Sequence, residues 1–269
     1  MEYLTINSPA PANAPDPTVP ADASIPTESP TTRETTPSEA APGTFPGTIT
    51  GLEVEWALGD IVIRSADVEQ VTVSAQDLSL VRTKLTKENA LSIQLPSKKD
   101  WIALNGLDKM DLTITLPKTT LLDQLEVEFA AGNVTIENLA GTIGKMELEG
   151  VSGSCGLTGC SVGKPDVVTA SGDVHFQGRL EALEMDAASA SFIGVLENTP
   201  KRVEIESVSG QLSLTLPEDC GFTITSESLN TRVSSDYPAK KIDHAHVYGD
   251  GSCKIHLEGV SGIVEIRKP

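Results

Sequence analysis

Three histidines near the C-terminus are the residues of this chain best suited by type and spacing to chemistry. His244 and His246 alternate, so on a strand they share one face, and His256 follows in the next apolar stretch. With Asp243 and Asp250 they form a weak candidate metal patch, because imidazole and carboxylate are both zinc-ligand types. As polar residues beside an irregular loop they need no ion, and this is the plainer reading. Cys155 and Cys253 each follow Gly-Ser, at a position where neighbouring repeats carry Val, Phe or Leu. That placement makes them buried thiols acting as small apolar residues. Cys160 and Cys220 lie at other registers, near expected turns. A Cys155–Cys160 bridge would close a short loop, but pairing is not deducible from spacing. The chain has no C-x-x-C pair and no zinc spacing. His175 stands alone among Ser and Asp neighbours, and no serine is marked as an activated nucleophile. Gly59-Asp60, Gly132-Asn133, Gly172-Asp173 and Gly249-Asp250 read as turns in which the side chain bonds its own backbone.

What must position these residues is a ladder with a period of about twenty residues. Leu125, Val127, Ala130, Gly132, Val134 and Ile136 define it, and Met146, Leu148, Val151, Gly153, Cys155 and Leu157 repeat it. Val167, Ala170, Gly172, Val174 and Phe176 follow, then Leu183, Met185, Ala188, Ala190 and Phe192. Val203, Ile205, Val208, Gly210, Leu212 and Leu214 come next. Ile255, Leu257, Val260, Gly262, Val264 and Ile266 close the series. An upstream copy is Leu52, Val54, Ala57, Gly59, Ile61 and Ile63. Such a period marks a solenoid, in which one coil cannot bury its own face and stacking supplies the core.

Alternation around each glycine is strict, which is the period of a strand. It places Val134, Ile136, Cys155, Leu157, Val174, Phe176, Leu212, Leu214, Cys253, Val264 and Ile266 in the core. Gly59, Gly132, Gly153, Gly172, Gly210 and Gly262 become corner residues, permitting positive φ or close packing on the next coil. The small residues before them (Ala130, Val151, Ala170, Ala188, Val208, Val260) suit a corner with little interior room. Ser152, Ser171, Ser189, Ser209 and Ser261 could bond backbone between coils. Trp56 reads as outward-facing in the first coil. Residues 64–121 are less regular, with Pro96, Gly106 and Pro117 as punctuation, and 222–250 loses the register. The expected fold is all-β: a single-stranded parallel β-helix or β-solenoid over 48–269, without significant helix. Eight to ten coils give a rod of roughly 40–50 Å, and parallel crossovers favour a right hand.

Residues 1–47 are of another kind. They hold ten of the 17 prolines, many Thr, Ala and Ser, and almost no large apolar residues. That composition cannot offset chain entropy, so the stretch is expected to be a disordered Pro/Thr-rich tether. The start Met1-Glu2-Tyr3-Leu4 lacks the basic segment and apolar core of a signal peptide, and no run approaches ~18 apolar residues. Membrane attachment therefore requires an anchor absent from this chain. The net charge is −18, of which the tether carries −5, leaving −13 on the folded part. Nucleic acid is excluded as a natural partner, because phosphate contacts need clustered Lys and Arg. A cationic partner or divalent ions suit the field. Calcium-binding solenoids need denser Gly-Asp repeats of half this period. Basic residues are scattered (Lys98, Lys99, Lys109, Lys240, Lys241), and Trp56 and Trp101 are the only tryptophans, so sugar platforms are scarce.

Val-Ser-Gly at 151–153, 208–210 and 260–262, Ala-Ser-Gly at 170–172, Thr113-Ile-Thr-Leu-Pro117 and the closing Gly259-Val-Ser-Gly-Ile-Val-Glu-Ile-Arg-Lys268 resemble the bacterial putative-adhesin family. That family is a β-solenoid domain of unknown function, also found in envelope-stress proteins of the LiaX type. The resemblance covers roughly 48–269 and departs at Ala190, where alanine replaces the glycine, and over 222–250. It implies the solenoid and no active site, so no catalytic or cofactor residue is carried over. The expected function is a non-catalytic binding or scaffold module of the cell envelope, with a protein or peptide partner or self-association through the end coils. Two alternatives stay open: an envelope-stress sensor binding cationic peptides, and a polysaccharide-active β-helix enzyme. A cytoplasmic location is the alternative to the envelope.

Overall fold

The computed structural model describes residues 43–57, 59–95 and 109–269, without the side chains of 228 and 229. The Pro/Thr-rich stretch up to residue 42, Pro96, Lys98, Lys99, Trp101 and Gly106 lie outside the described residues. The described strands, in chain order, are β1 (Thr44–Pro46), β2 (Gly51–Trp56), β3 (Ile61–Ala66), β4 (Gln70–Ala75), β5 (Arg82–Leu85), β6 (Ala90–Gln94), β7 (Leu112–Pro117), β8 (Gln124–Ala131) and β9 (Val134–Glu137). They continue with β10 (Thr142–Ser152), β11 (Cys155–Leu180), β12 (Ala182–Leu196), β13 (Arg202–Thr215), β14 (Phe222–Ser235), β15 (Lys240–Ile242), β16 (Ala245–Tyr248) and β17 (Cys253–Arg267). A single 3₁₀ turn at Leu78–Leu80, capped by Asp77 whose Oδ1 accepts from the Ser79 N–H at 3.0 Å, is the one helical element among them.

The strands stack as solenoid rungs. One wall runs β6–β2–β8–β10–β11–β12–β13–β17–β14, every neighbour parallel. A second wall carries β7–β3–β9–β11 in parallel and continues through the later halves of β12, β13, β17 and β14. Nine rungs at ~4.8 Å give a stack of roughly 40 Å. The all-β solenoid is as the repeat predicts, and in-register pairing such as Leu125–Met146 and Leu183–Val203–Ile255 is its direct cause. Each apolar column then lies over its copy in the next coil, removing side chains from water that no single coil could cover.

The order of the rungs is not the order of the chain. The last strand, β17, inserts between β13 and β14, and the first repeat, β2 with β3, sits inside β6 and β7. Neither sequence end is therefore an end of the stack. The true ends carry antiparallel additions: β5 on β6, β4 on β7 and β1 on β4 at one end, and at the other β16 on Phe222–Thr225 of β14 with β15 on β16, which leaves 226–235 of β14 without an outer strand partner among the described residues. These supply partners for edge N–H and C=O groups that would otherwise recruit another chain. β1 begins inside the stretch assigned to the tether, so the ordered fold starts at least four residues earlier than 48. The irregular 222–250 stretch is the terminal rung plus its covering hairpin. Phe222, Tyr237 and Tyr248 cluster there with ring centroids 4.7–5.6 Å apart, and the Tyr237 hydroxyl donates to the Leu216 carbonyl at 2.7 Å.

The core columns Val134, Ile136, Cys155, Leu157, Val174, Phe176, Leu212, Leu214, Cys253, Val264 and Ile266 are all buried. Cys160 and Cys220 are buried as well, Cys220 directly after the turn at 218–219 and Cys160 within β11, and all four cysteines are free thiols. Trp56 also faces in, correcting its outward assignment. The period-two alternation from Leu52 and Val54 carries through to it, and its Nε1–H donates to the Met110 carbonyl at 2.8 Å.

Candidate binding face

The three candidate metal-binding histidines do not converge. His244 and His246 line a polar cavity of about 320 Å³ at the C-terminal end, with Ser226, Asn230, Thr231 and Lys241. His256 belongs to another surface beside Arg202, Glu204 and Lys254, where its Nδ1 lies 3.0 Å from Thr225 Oγ1. The patch fails because β17, which carries His256, is one rung in from β14, whereas His244 and His246 ride on the covering hairpin. Among the described residues no group of three or more His, Cys, Asp or Glu has an arrangement that would hold a metal ion.

The thiols are equally inert. Burial pushes Cys155 and Cys253 up to about 12 and raises Cys160 and Cys220 above the ordinary thiol value. A protonated, buried sulfur is a poor nucleophile and a poor ligand. One hydrolase-like spacing is nonetheless present: Gly159-Cys-Ser161-Val-Gly163 fits the nucleophile-elbow pattern. Ser161 lies within β11, however, its hydroxyl 3.0 Å from that of Thr142 on β10, and no helix follows it. The strand-to-helix turn that would strain and present such a serine is missing.

The acidic turns are structural. Asp60 Oδ1 accepts from the Asn133 backbone N–H at 2.9 Å, and its Oδ2 accepts from Lys109 Nζ at 2.6 Å. The Lys109 ammonium and the Asn133 N–H together hold the Asp60 carboxyl below its ordinary range. Asp250 Oδ1 accepts from the Ser252 N–H of its own turn at 2.9 Å, whereas Asp60 and Asn133 bond to neighbouring coils and not to their own backbone.

The corner is where the structure departs most from the sequence reading. Gly59, Gly132, Gly153 and Gly172 have positive φ, but Gly210 and Gly262 do not. The change coincides with Ala190, which cannot cheaply take the left-handed conformation. Above that rung the corner is built without positive φ: a Cβ on Gly262 would meet nothing nearer than 3.7 Å, whereas one on Gly210 would still meet Ser207 Oγ at 2.9 Å. The small residues preceding these glycines do not fill the interior. Val151, Val208 and Val260 are 61, 59 and 51% exposed, and Ala170 and Ala188 are exposed beside them. The inward position is one residue earlier, at Phe129, Thr169 and Ser207. Alternation from Leu125 and Val127 carries to Phe129 and turns the next side chain out. None of the hydroxyls of Ser152, Ser171, Ser189, Ser209 and Ser261 makes a hydrogen bond between coils among the described residues, so the expected serine bridges are not formed.

The outward valines and alanines line a shallow groove of about 740 Å³ that crosses β10, β11, β12, β13, β17 and β14 along the stack. Beside it stands a column of carboxylates. Glu55, Glu128, Glu149, Val168, Asp186, Glu206, Glu258 and Glu227 occupy one register on consecutive rungs. A second column, Glu53, Glu126, Glu147, Asp166, Glu184 and Glu204, runs two residues further from the corner. Like charges directly opposed on neighbouring strands destabilise a sheet. In the outer column the repulsion is offset by Lys145 on Glu147, Lys164 on Glu184 and Arg202 on Glu204. In the inner column Glu128, Glu149, Asp186, Glu206, Glu258 and Glu227 have no cation partner among the described residues. Burial, then Glu149 and Glu55, raise the Glu128 carboxyl; burial, then Glu206 and Glu184, raise Asp186. Glu53, Glu126 and Asp166 of the outer column also have no ion pair among the described residues, so compensation is partial there and absent from the inner column beside the exposed valines.

Among solved structures, the fold is similar to a putative cell adhesion protein from Clostridium sporogenes at 13% identity and a TM-score of 0.36, over 83% of this chain and 95% of that one. It is similar to a putative adhesin from Bacteroides fragilis at 17% identity and 0.48, over 81% and 92%. A putative lipid binding protein from Parabacteroides distasonis gives 14% identity and 0.30, over 84% and 92%. At these scores the likenesses say nothing of a ligand. No curated protein matches the chain. The Toastrack DUF4097 family model does match, over residues 49–263, which is nearly all of the stacked strands. With its repeated rungs and glycine corners in that span, this chain belongs to the Toastrack DUF4097 family.

Proposed function

We propose that this protein is a non-catalytic binding module of the bacterial cell envelope, and that it binds through the wall carrying the inner carboxylate column and the exposed valines. The observation that carries the reading is the asymmetry of charge compensation. Three basic residues pair with three of the six outer-column acids, and among the described residues none pairs with the inner column. A folded protein retains stacked, uncompensated carboxylates at a cost in stability, and a surface that tolerates such a cost next to exposed β-branched residues is typical of an interaction site.

The stack ends support this surface over edge addition. Antiparallel strands lie on β6 and β7 at one end and on the first part of β14 at the other, and β5 and β15 carry Arg82 with Lys84 and Lys240 with Lys241. Charged residues on edge strands oppose pairing with a second chain. The experiment is site-specific photocrosslinking in living bacteria, with a photoreactive residue at Val208 or, as control, at exposed Glu197. An adduct recovered from the envelope fraction at Val208 and missing at Glu197 is the expected result. Equal adducts at both positions, or adducts confined to the cytosol, would overturn the proposal.

A further inference from the structure

Resting on that reading of the binding wall, we infer that the groove takes a basic amphipathic α-helix laid along the stack axis. Three observations set the occupant. The first is charge: Glu149, Asp186, Glu206, Glu258 and Glu227 put an acid on five of six consecutive rungs, continuous from Asp186 to Glu227 and interrupted only by Val168. Such a rim is complementary to a row of Lys or Arg and repels anionic lipid and nucleic acid.

The second is chemistry across the groove. Val151, Val208 and Val260, with Ala170 and Ala188, make an apolar floor, so an occupant needs an apolar stripe flanked by cations. A simple polycation would leave that floor in water. The depth is small: about 740 Å³ spread over five steps of ~4.8 Å, or ~24 Å of length. A channel that shallow seats one face of a helix and does not engulf it.

The third is spacing, and it separates a helix from an extended chain. The rim offers a carboxylate roughly every 4.8 Å along the axis. Residues three or four apart on a helix recur about every 5.4 Å. The misfit is ~0.6 Å per rung, which the flexible arms of Lys and Arg absorb. Same-face residues on a strand recur about every 6.7 Å, so an extended peptide slips by ~2 Å at each rung and is out of phase after two. Five steps match about sixteen helical residues.

The test uses the full chain and three fluorescent sixteen-residue peptides of identical Leu/Lys composition. One is patterned with the helical period, one alternates strictly, and one is scrambled. Titrated at low salt, the helical-period peptide is expected to bind at least tenfold more tightly than the other two and to gain helix in far-UV circular dichroism on binding. A Glu149→Gln/Asp186→Gln/Glu206→Gln variant should weaken it tenfold or more, and Val208→Ser/Val260→Ser should weaken it independently. The carboxamide variant removes repulsion, so it is expected to fold. Equal or tighter binding by the alternating peptide overturns the helix, as does unchanged affinity in the carboxamide variant. Failure of all three peptides while Val208 still crosslinks in the envelope would overturn the occupant and leave the binding wall standing.

Discussion

The carbonyl oxygen of Gly153 lies 1.9 Å from the point where a Cβ on Gly172 would stand. The same contact links Gly132 to Gly59 and Gly153 to Gly132, so the first four glycine corners nest backbone on backbone. With φ at +127° as well, Gly172→Ala meets both a steric and a conformational penalty. It is expected to cost about 2–4 kcal/mol. Gly262→Ala should be nearly neutral, since its nearest neighbour is 3.7 Å away. Urea unfolding of the two variants separates them, and equal losses would refute a corner that changes at Ala190.

Val174 and Val208 carry the same side chain on opposite sides of the wall, 3 and 59% exposed. Val174→Asp buries an unpaired charge, and a loss of roughly 4 kcal/mol or more is expected. Val208→Thr should remain within about 0.5 kcal/mol of the parent. Comparable destabilisation by both would mean that the valine column points inward after all.

Ser207 Oγ is buried with no hydrogen-bond partner. The preceding rung holds Ala187 at the same register. Ser207→Ala removes an orphaned hydroxyl at a site already shaped for a methyl group, so a gain of about 1 kcal/mol is expected, seen as a rise of roughly 2–4 °C in Tm. A clear loss would show that the hydroxyl is satisfied in solution.

The carboxylate columns give stability an unusual pH dependence. Glu128, Asp166 and Asp186 are all raised, in each case by burial first and then by neighbouring acids. Folded protein thus binds protons at a pH where unfolded chain has released them. Stability therefore increases as pH falls from neutrality through the raised values toward the ordinary carboxylate range. Asp60 acts oppositely, and its contribution is lost only as pH falls below the ordinary range through its lowered value. Tm should rise by a few degrees between pH ~7 and ~5 and then fall in stronger acid. At pH ~7, added NaCl should also raise it by screening the columns. A Tm that falls monotonically from neutrality, with no salt response, would exclude the uncompensated ladder.

Much of the coil was legible in the residues. The twenty-residue period, the alternation through Val174 and Phe176, and the thiols at core positions all reduce to one local rule: side chains two apart on a strand share a face. At the corner the same rule, and not residue size, decides the facing: counting by two from Leu125 through Phe129 turns Ala130 outward, from Met146 it turns Val151 outward, and from Leu52 it turns Trp56 inward. The acidic columns were visible as Glu-x-Glu pairs two and four residues after the rung starts, yet their meaning depends on which cations reach them.

By itself, the sequence determined a parallel stack of glycine-cornered coils with a buried aliphatic and thiol core. Periodicity is a local property, and each rung repeats it. Only the tertiary structure decided that β17 lies between β13 and β14, that β2 sits inside β6, and that antiparallel strands cover one end and part of the other. In-register aliphatic columns are nearly interchangeable, so any rung can stack on any other. Chain connectivity and the covering of edges choose among them. The same stacking brings Glu149, Asp186, Glu206 and Glu258, scattered over more than a hundred residues, into one uncompensated column beside exposed valines.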